Sequence, residues 1–396
     1  MDGKGNIILW KLTGDPLSRI LSSPALGVGS FAFSPCSQKL AVATGRTLEI
    51  WQLADIPPSS ATVTCRKDHK TKKIERLDDL KQIETGDDDH RPEGFHSLAF
   101  NPNGETLAVA DTDGDVYIWD LKHGKQIGET VSTGEPMIVL AFNSAGKTLA
   151  ASTVFRYSQT EDMEEEQIVS LWDVSRGESL RKLPGHKGMA TCMAFSPDGR
   201  LLASGDYAGN LFLWEVSTGI KQQPALNRGR NESPYLNSLA FSPDGKLLAY
   251  GLDNDIILWE VVKEPQGGTG LNRGKTLAGK DAGIIKPFID LSFSPDGKTL
   301  AAKNFDGTVI LWDVSTGTAI GSTFSEVYKP KTGKMSVGRQ INYRKTFIAY
   351  SPDGKKLALA DKGKVILYEA DLQSWKHKAR SIANRDLTPK ERETYL

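Results

Sequence analysis

The histidines and cysteines are the first residues of this 396-residue chain that could do chemistry. Structural zinc sites use paired ligands, such as a Cys-x-x-Cys pair combined with closely spaced histidines. The six histidines and three cysteines do not form such a set. Cys192 lies beside an apolar run and is interpreted as a core residue rather than a nucleophile. The sequence therefore predicts no zinc site and no catalytic cysteine.

Residues 111–115 (Asp-Thr-Asp-Gly-Asp) offer a second candidate site, for a cation. The stretch resembles the start of a calcium-binding loop, but it lacks the distal glutamate that completes one. A turn between two strands is the alternative that we favour. The chain also lacks Gly-rich phosphate-binding motifs and the Gly-x-Ser-x-Gly motif of hydrolases. We therefore predict no catalytic residue, no metal and no cofactor.

The composition restricts the possible cellular roles. Lysine and arginine number 49, aspartate and glutamate also number 49, and the formal net charge is zero. A neutral chain has no overall attraction to nucleic acid or to an anionic membrane. An odd number of dispersed cysteines fits a reducing compartment, and no apolar run approaches the length of a membrane span. These observations predict a cytoplasmic protein.

A repeat predicts the elements that must position any functional residue. An aromatic residue followed by Ser-Pro-Asp-Gly, or by a weaker copy of it, lies 18 or 19 residues before a Trp or Tyr in six of seven copies, and 30 residues before it in the copy that starts at Phe142. The copies start at Phe33, Phe100, Phe142, Phe195, Phe241, Phe293 and Tyr350. Each unit predicts three short strands, with a fourth before the next copy, and such units bury their faces only against one another.

These residues carry a family resemblance. The Phe-Ser-Pro-Asp-Gly copies, the pair Gly185-His186, and the pairs that begin at Trp119, Trp172 and Trp312 resemble the blades of WD-repeat proteins over residues 3–370. The resemblance implies an all-β fold, a seven-bladed WD40-type β-propeller. It also implies a structural role for His186. Propellers of this kind serve many functions, so the fold by itself does not identify one.

The resemblance also implies a hydrogen-bonded His–Ser–Asp–Trp set within a blade. The acidic residue expected six positions before the Trp is present as Asp113, Asp253 and Asp306. The repeat that keeps its histidine has Ala208 at that position. We therefore expect no blade to hold a complete set.

Both ends of the chain carry predictions about closure. Residues 16–22 are expected to pair beside residues 364–368 and so to complete the last blade. Residues 3–12 are then left over, and they either cover an edge or mark the chain as the C-terminal part of a longer one. Residues 371–396 predict a helical tail, because Trp375, Ala379 and Ile382 fall on one face of a helix.

The tail resembles the segment that closes many bacterial WD-repeat proteins, in which the propeller often follows a signalling domain. The resemblance implies a bacterial protein and an upstream signalling domain or partner subunit. Four stretches exceed the repeat length and are expected to be insertions, at residues 52–95, 153–167, 263–286 and 324–345. The last of these is basic around residues 329–345, so it is the candidate for nucleic-acid binding.

The candidate partner-binding site is the mouth of the central channel, where the first strand of each blade begins. Side chains that dominate binding energies are expected there, in the turns and in the segments that lead into the first strands. They are Met189, Tyr207, Tyr235, Phe305 and Arg344. The alternative for Tyr207 and Phe305 is that they pack against neighbouring blades.

These observations favour a non-catalytic scaffold or sensor that binds a protein or peptide partner and does not associate with a membrane. Two alternatives remain. The first is an enzyme that uses the channel mouth. The second is a nucleic-acid-binding propeller that uses the mouth or the basic loop at residues 329–345.

Overall fold

The protein is described by a computed structural model that covers most of the repeats. It describes residues 18–22, 28–44, 47–53, 95–111, 114–128, 130–132, 137–153, 167–186, 190–206, 209–226, 238–252, 254–263, 268–279, 288–304, 307–320, 348–361 and 364–370. The helical tail predicted at residues 371–396 and the insertion at residues 324–345 lie outside these ranges. So does most of the two insertions at residues 52–95 and 153–167.

Six antiparallel sheets are built from strands that follow one another in the chain, and we call them blades 1 to 6. Blade 1 has β2 (Val28–Phe33), β3 (Lys39–Thr44) and β4 (Thr47–Gln52). Blade 2 has β5 (Phe95–Phe100), β6 (Thr106–Asp111), β7 (Asp115–Asp120), β8 (Lys125–Gln126) and β9 (Val131–Ser132). Blade 3 has β10 (Met137–Phe142), β11 (Thr148–Thr153), β12 (Gln167–Asp173) and β13 (Glu178–His186).

The second half of the chain continues the pattern. Blade 4 has β14 (Ala190–Phe195), β15 (Leu201–Asp206), β16 (Leu211–Glu215) and β17 (Lys221–Leu226). Blade 5 has β18 (Leu239–Phe241), β19 (Leu247–Leu252), β20 (Asp255–Lys263) and β21 (Thr269–Ala278). Blade 6 has β22 (Phe288–Phe293), β23 (Thr299–Asn304) and β24 (Val309–Asp313). Much of the insertion predicted at residues 263–286 is therefore regular strand, because β21 pairs with β20.

A composite sheet, which we call the closing sheet, joins the two halves of the chain. Strand β1 (Ser18–Ser22) pairs antiparallel with β27 (Lys364–Glu369), with Ser18 opposite Tyr368. Strands β26 (Lys356–Asp361) and β25 (Ile348–Tyr350) follow in the same sheet. The predicted pairing of residues 16–22 beside residues 364–368 is confirmed.

The expected seven blades need a correction. The described strands form six blades of consecutive strands, and the last repeat forms the closing sheet only with help from the N-terminal strand. The physical reason is that the last repeat supplies three strands, so its outer edge is covered by β1 from the other end of the chain. The Phe-to-Trp units form three strands each, as predicted.

The second strand of a blade is buried on both faces, and this explains its sequence. In β6 every residue is buried. Leu107 and Val109 pack with blade 1, whereas Ala108 and Ala110 pack toward blade 3. Alternate side chains of a strand point to opposite faces, so a strand between two neighbouring sheets needs apolar residues at every position. The Leu-Ala pairs of the repeat are therefore interior residues.

Serine side chains in or next to several first strands accept a hydrogen bond from the first strand of the next blade. The backbone N–H of Leu98 in blade 2 donates to Ser30 Oγ of blade 1 at 3.2 Å, and that of Leu140 in blade 3 donates to Ser97 Oγ of blade 2 at 3.1 Å. The N–H of Leu291 in blade 6 donates to Ser238 Oγ of blade 5 at 3.0 Å. A first strand has a free backbone edge, and these bonds satisfy part of it inside the ring.

The Ser-Pro-Asp-Gly turns are held in the same way in successive units. In blade 4, Ser196 Oγ donates to Asp198 Oδ1 at 2.5 Å and accepts from the N–H of Leu201 at 3.0 Å. The hydrogen bond from Ser196 Oγ is the main reason why the pKa of Asp198 is lowered. Gly199 has a φ of 71°, which a residue with a side chain rarely adopts. The turn residues of the repeat therefore specify the hairpin between the first and second strands.

The inter-blade serine bonds lead to a stability prediction. Replacing Ser97 by alanine leaves the buried N–H of Leu140 without its acceptor, so we expect the free energy of unfolding to fall by about 1–2 kcal/mol. Denaturant unfolding of the purified chain measures the change. Ser179→Ala, at an exposed position of β13, is the control and should change stability by less than about 0.5 kcal/mol. Equal effects of the two substitutions would contradict the role of Ser97.

Candidate interaction site

The predicted binding residues adjoin strand ends that the structure describes. Met189, Tyr207, Tyr235, Phe305 and Arg344 themselves lie outside the described residues. Ala190, which follows Met189, is paired with Asp206, which precedes Tyr207. In blade 6, Phe288 is paired with Asn304, which precedes Phe305. The described strands thus bring the chain positions of Met189 and Tyr207 to the same end of blade 4.

Turns between the second and third strands, which we call the mouth turns, share one arrangement. In blade 4 the N–H of Asn210 donates to Asp206 Oδ1 at 2.8 Å, and the N–H of Gly209 donates to the Asp206 carbonyl at 3.0 Å. Asp206 is fully buried. The turn that carries Tyr207 therefore starts and ends at hydrogen-bonded residues.

The mouth turn of blade 6 repeats this geometry with an amide in place of the carboxylate. Asn304 Oδ1 accepts from the N–H of Thr308 at 2.8 Å, and the Asn304 carbonyl accepts from the N–H of Gly307 at 3.1 Å. The glycines of the two turns, Gly209 and Gly307, have φ values of 79° and 89°. The turn that carries Phe305 is therefore anchored like the turn that carries Tyr207.

The mouth turn of blade 2 explains the stretch that resembles a calcium loop. Asp111 Oδ1 accepts from the N–H of Asp115 at 2.9 Å, and its Oδ2 accepts from the hydroxyl of Tyr117 at 3.0 Å. Both carboxylate oxygens thus already have protein donors. Within the described ranges, no group of three His, Cys, Asp or Glu side chains is arranged to hold a metal ion. Asp111 ends β6 and Asp115 begins β7, so the stretch connects two strands, in keeping with the alternative that the sequence favoured.

Blade 4 holds a complete His–Ser–Asp–Trp set, contrary to the expectation from sequence. The Trp214 indole Nε1–H donates to Ser204 Oγ at 2.8 Å, and Ser204 Oγ lies 2.7 Å from His186 Nε2. His186 Nδ1 lies 3.0 Å from Asp206 Oδ2. One proton arrangement satisfies all three contacts. In that arrangement the Ser204 hydroxyl donates to His186 Nε2, and His186 Nδ1–H donates to the Asp206 carboxylate.

The error in the sequence argument was one of position. The acidic partner was sought six residues before Trp214, at Ala208, whereas Asp206 lies eight residues before it. Asp206 is the last residue of β15 and its buried side chain contacts His186, whereas residue 208 lies outside the described residues. Asp111 likewise lies eight residues before Trp119, and Asn304 lies eight residues before Trp312. Like Asp206, both lie three residues before a glycine. An acidic or amide residue three positions before a glycine was the signal that was missed.

A serine, a histidine and an aspartate in hydrogen-bond contact also form the arrangement of a hydrolase triad. Here Ser204, His186 and Asp206 all have a relative accessibility of 0%. The ring of Phe212 lies edge-on to the imidazole with the centroids 4.5 Å apart. A substrate carbonyl has no access to Ser204 Oγ. That oxygen also already accepts a hydrogen bond from the Trp214 indole N–H. The set is a structural support for blade 4 and its mouth turn.

Other blades lack the serine, and their tryptophans show the consequence. Four buried indole N–H groups have no acceptor among the described residues, namely those of Trp119, Trp172, Trp259 and Trp312. In each blade, a leucine of the second strand pairs with the Trp, and Ser204 lies two residues after that leucine in blade 4. The corresponding residue is Val109 in blade 2 and Ala302 in blade 6. The buried Nδ2 of Asn304 also has no acceptor there. Among the described residues, the Trp214 indole N–H of blade 4 therefore has an acceptor where those four tryptophans have none.

The network in blade 4 leads to a second prediction. Ser204→Ala removes the acceptor of Trp214 Nε1–H and the donor to His186 Nε2, both deeply buried, so we expect a loss of about 2–4 kcal/mol in unfolding free energy. Thermal and denaturant unfolding measure it. The exposed Ser217→Ala is the control, with an expected change within about 0.5 kcal/mol. An unchanged melting temperature for Ser204→Ala would contradict the network.

Comparison with known families supports the repeat assignment. The family model described as "WD domain, G-beta repeat" matches residues 177–215, 227–260 and 274–313. A model described as "Anaphase-promoting complex subunit 4 WD40 domain" matches residues 65–145. These matches indicate no enzymatic family. Within the part of the chain that the structure describes, no helix is long and apolar enough to cross a membrane.

Curated relatives share repeats with the chain over part of their length. Telomerase protein component 1 of Rattus norvegicus is 27% identical over 259 residues, which are 65% of this chain and 9% of that protein. Periodic tryptophan protein 2 homolog of Schizosaccharomyces pombe is 24% identical over 229 residues (57% and 21%). Small ribosomal subunit protein RACK1y of Oryza sativa is 30% identical over 161 residues (38% and 42%). The chain thus spans less than half of the length of each. All three are eukaryotic, so the predicted bacterial setting stays a prediction.

A solved structure shows the same architecture. The β-propeller domain of Cps50 (Swd1) from Myceliophteria thermophila aligns with a TM-score of 0.63 and 16% sequence identity, covering 89% of this chain and 98% of that one. At this identity the likeness concerns the fold alone. Together with the repeat matches and the sheet topology, it establishes that this chain carries WD40 repeats folded as a β-propeller.

Proposed function

We propose that the chain is a non-catalytic interaction scaffold that binds a protein or peptide at the mouth of its channel. WD40 propellers generally act as protein-interaction scaffolds, and this supports the class of function. The binding residues that we propose are Met189, Tyr207, Tyr235, Phe305 and Arg344. They would bind as aromatic, thioether and guanidinium anchors held on a rigid ring.

The observation that carries this proposal is the anchoring of the mouth turns. Tyr207 and Phe305 each directly follow a fully buried residue, Asp206 and Asn304, whose side chain caps the end of the turn. A binding loop that is already ordered loses less conformational entropy when a partner docks. An aromatic residue in such a turn is therefore well suited to serve as an anchor.

The finer parts of the proposal rest on the sequence. We also propose a cytoplasmic location, a bacterial setting, and a sensor role in which the partner is a signalling domain or subunit. No described residue favours an enzymatic or nucleic-acid-binding role, and the basic loop at residues 329–345 lies outside the described ranges.

The proposal predicts a separation of binding from stability. Peptides selected on the wild-type chain from a phage-displayed random library should lose at least about tenfold in affinity for Tyr207→Ala or Tyr235→Ala, because hot-spot anchors are worth about 2 kcal/mol or more. Unfolding free energies of the variants should stay within about 1 kcal/mol of wild type. Isothermal titration calorimetry and denaturant unfolding measure the two effects.

The control is Ile220→Ala, which truncates an exposed aliphatic side chain in the turn leading into β17 of blade 4. It should leave peptide affinity unchanged. Intact binding combined with a large stability loss in Tyr207→Ala would show that this tyrosine packs between blades. The site at the channel mouth would then be rejected.

A further inference from the structure

Blade 6 differs from the other blades at two neighbouring interior positions. Asp290 in β22 and Lys303 in β23 lie opposite each other in the strand register. The other repeats have small or apolar residues at the position of Asp290: Ser30, Ser97, Val139, Cys192 and Ser238. They also have small residues at the position of Lys303: Ala43, Ala110, Ser152, Gly205, Gly251 and Ala360. An acid and a base have thus replaced two small side chains in a single blade.

Both charged groups reach the closing sheet. The N–H of Ile348, the first residue of β25, donates to Asp290 Oδ2 at 2.6 Å. Lys303 Nζ donates to the carbonyl of Ala360 in β26 at 2.7 Å, and Lys303 has a relative accessibility of only 1%. Two strands of the closing sheet are therefore bonded to side chains of blade 6.

Asp290 also reaches back to blade 5. Ser238 Oγ donates to Asp290 Oδ1 at 3.0 Å, and the same serine accepts from the N–H of Leu291. The Leu291 N–H lies within 2.9 Å of Asp290 Oδ1 as well. The carboxylate thus connects three consecutive sheets at their innermost strands.

The closing sheet begins with a short strand. Its first strand, β25, has three residues, as β18 of blade 5 does, whereas β22 of blade 6 has six. A short strand forms fewer ladder bonds with its neighbour, so backbone groups at its ends depend on side chains. The closing sheet is also the sheet whose strands come from both halves of the chain.

We propose that Asp290 and Lys303 form a proton-sensitive latch that holds the closing sheet against blade 6 and thereby controls opening of the ring. In the closed ring the carboxylate and the ammonium compensate each other and satisfy backbone groups of β25 and β26. When the closing sheet detaches, both charges return to water. The latch is a conformational device that is additional to the binding role proposed for the channel mouth.

The electrostatics define how the latch responds to pH. Burial raises the pKa of Asp290 from 3.8 to about 6, opposed by the bonds from Ile348, Ser238 and Leu291 and by the charge of Lys303, the charged group that faces it among the described residues. A carboxyl with a raised pKa in the closed state takes up a proton on closing. Closure is therefore favoured as the pH falls from about 7 to about 4. This group alone should change the closing equilibrium by about tenfold between pH 7.5 and pH 5.

The test uses four full-length chains: wild type, Asp290→Ser, Lys303→Ala and the double variant, which restores the residue types of the other repeats. Amide hydrogen exchange, resolved by mass spectrometry, is followed in β1, β25, β26 and β27 and normalised to β11 and β12 of blade 3. Removing one partner leaves the other charge buried and uncompensated, which destabilises the closed ring more than removing both charges. Asp290→Asn, which keeps the shape of the side chain, replaces Asp290→Ser if that variant does not fold.

We expect each single variant to exchange at least about tenfold faster in the closing sheet with blade 3 unchanged, and the double variant to recover most of the protection. In the wild type, protection of the closing sheet should rise by about tenfold from pH 7.5 to pH 5. The double variant should lack this rise. Ser97→Ala, which removes an uncharged inter-blade bond and keeps Asp290 and Lys303, is the control and should keep the pH dependence of the wild type at the closing sheet. Uniform loss of protection in all blades, a double variant as labile as the singles, or pH profiles that coincide would each overturn the latch.

Discussion

Each blade has two apolar faces and a free inner backbone edge that only neighbouring blades can cover. The second strands show this most clearly, since β6 is buried completely between blades 1 and 3. A single blade therefore cannot be stable in isolation, and a row of blades leaves two exposed ends. Pairing of β1 with β27 removes those ends, and every other feature of the molecule depends on that closure.

Closure also fixes the ends of the mouth turns that we propose for binding. Packed on both sides, the second strands end at fixed points, and buried residues such as Asp206 and Asn304 cap the turns that start there. The complete network in blade 4 extends this support from Trp214 through Ser204 and His186 to Asp206. Turn residues that follow such anchors can vary in type without disturbing the ring.

Polar groups inside the ring are compensated in two different ways. In blade 4 the His186 imidazole completes a chain of hydrogen bonds within one blade and beside its mouth turn. In blade 6 a charged pair, Asp290 and Lys303, reaches across to the closing sheet. The first arrangement stabilises a turn, whereas the second joins sheets. A buried pair is costly to desolvate and costlier to break, so it suits a junction whose state must be well defined.

The sequence by itself determined the fold class, the three-strand units and the pairing of the two chain ends, because these depend on local turn residues and on the repeat of apolar positions. It also predicted a candidate site at the ends of the strands. It could not identify the acidic partner of His186, because that depends on which residue of β15 points into the blade. Nor could it show that Asp290 and Lys303 meet. Comparison of the repeats shows a charged residue at two positions where the others have small or apolar ones. Only packing against the closing sheet decides that both side chains are buried, because that sheet comes from segments far apart in the chain.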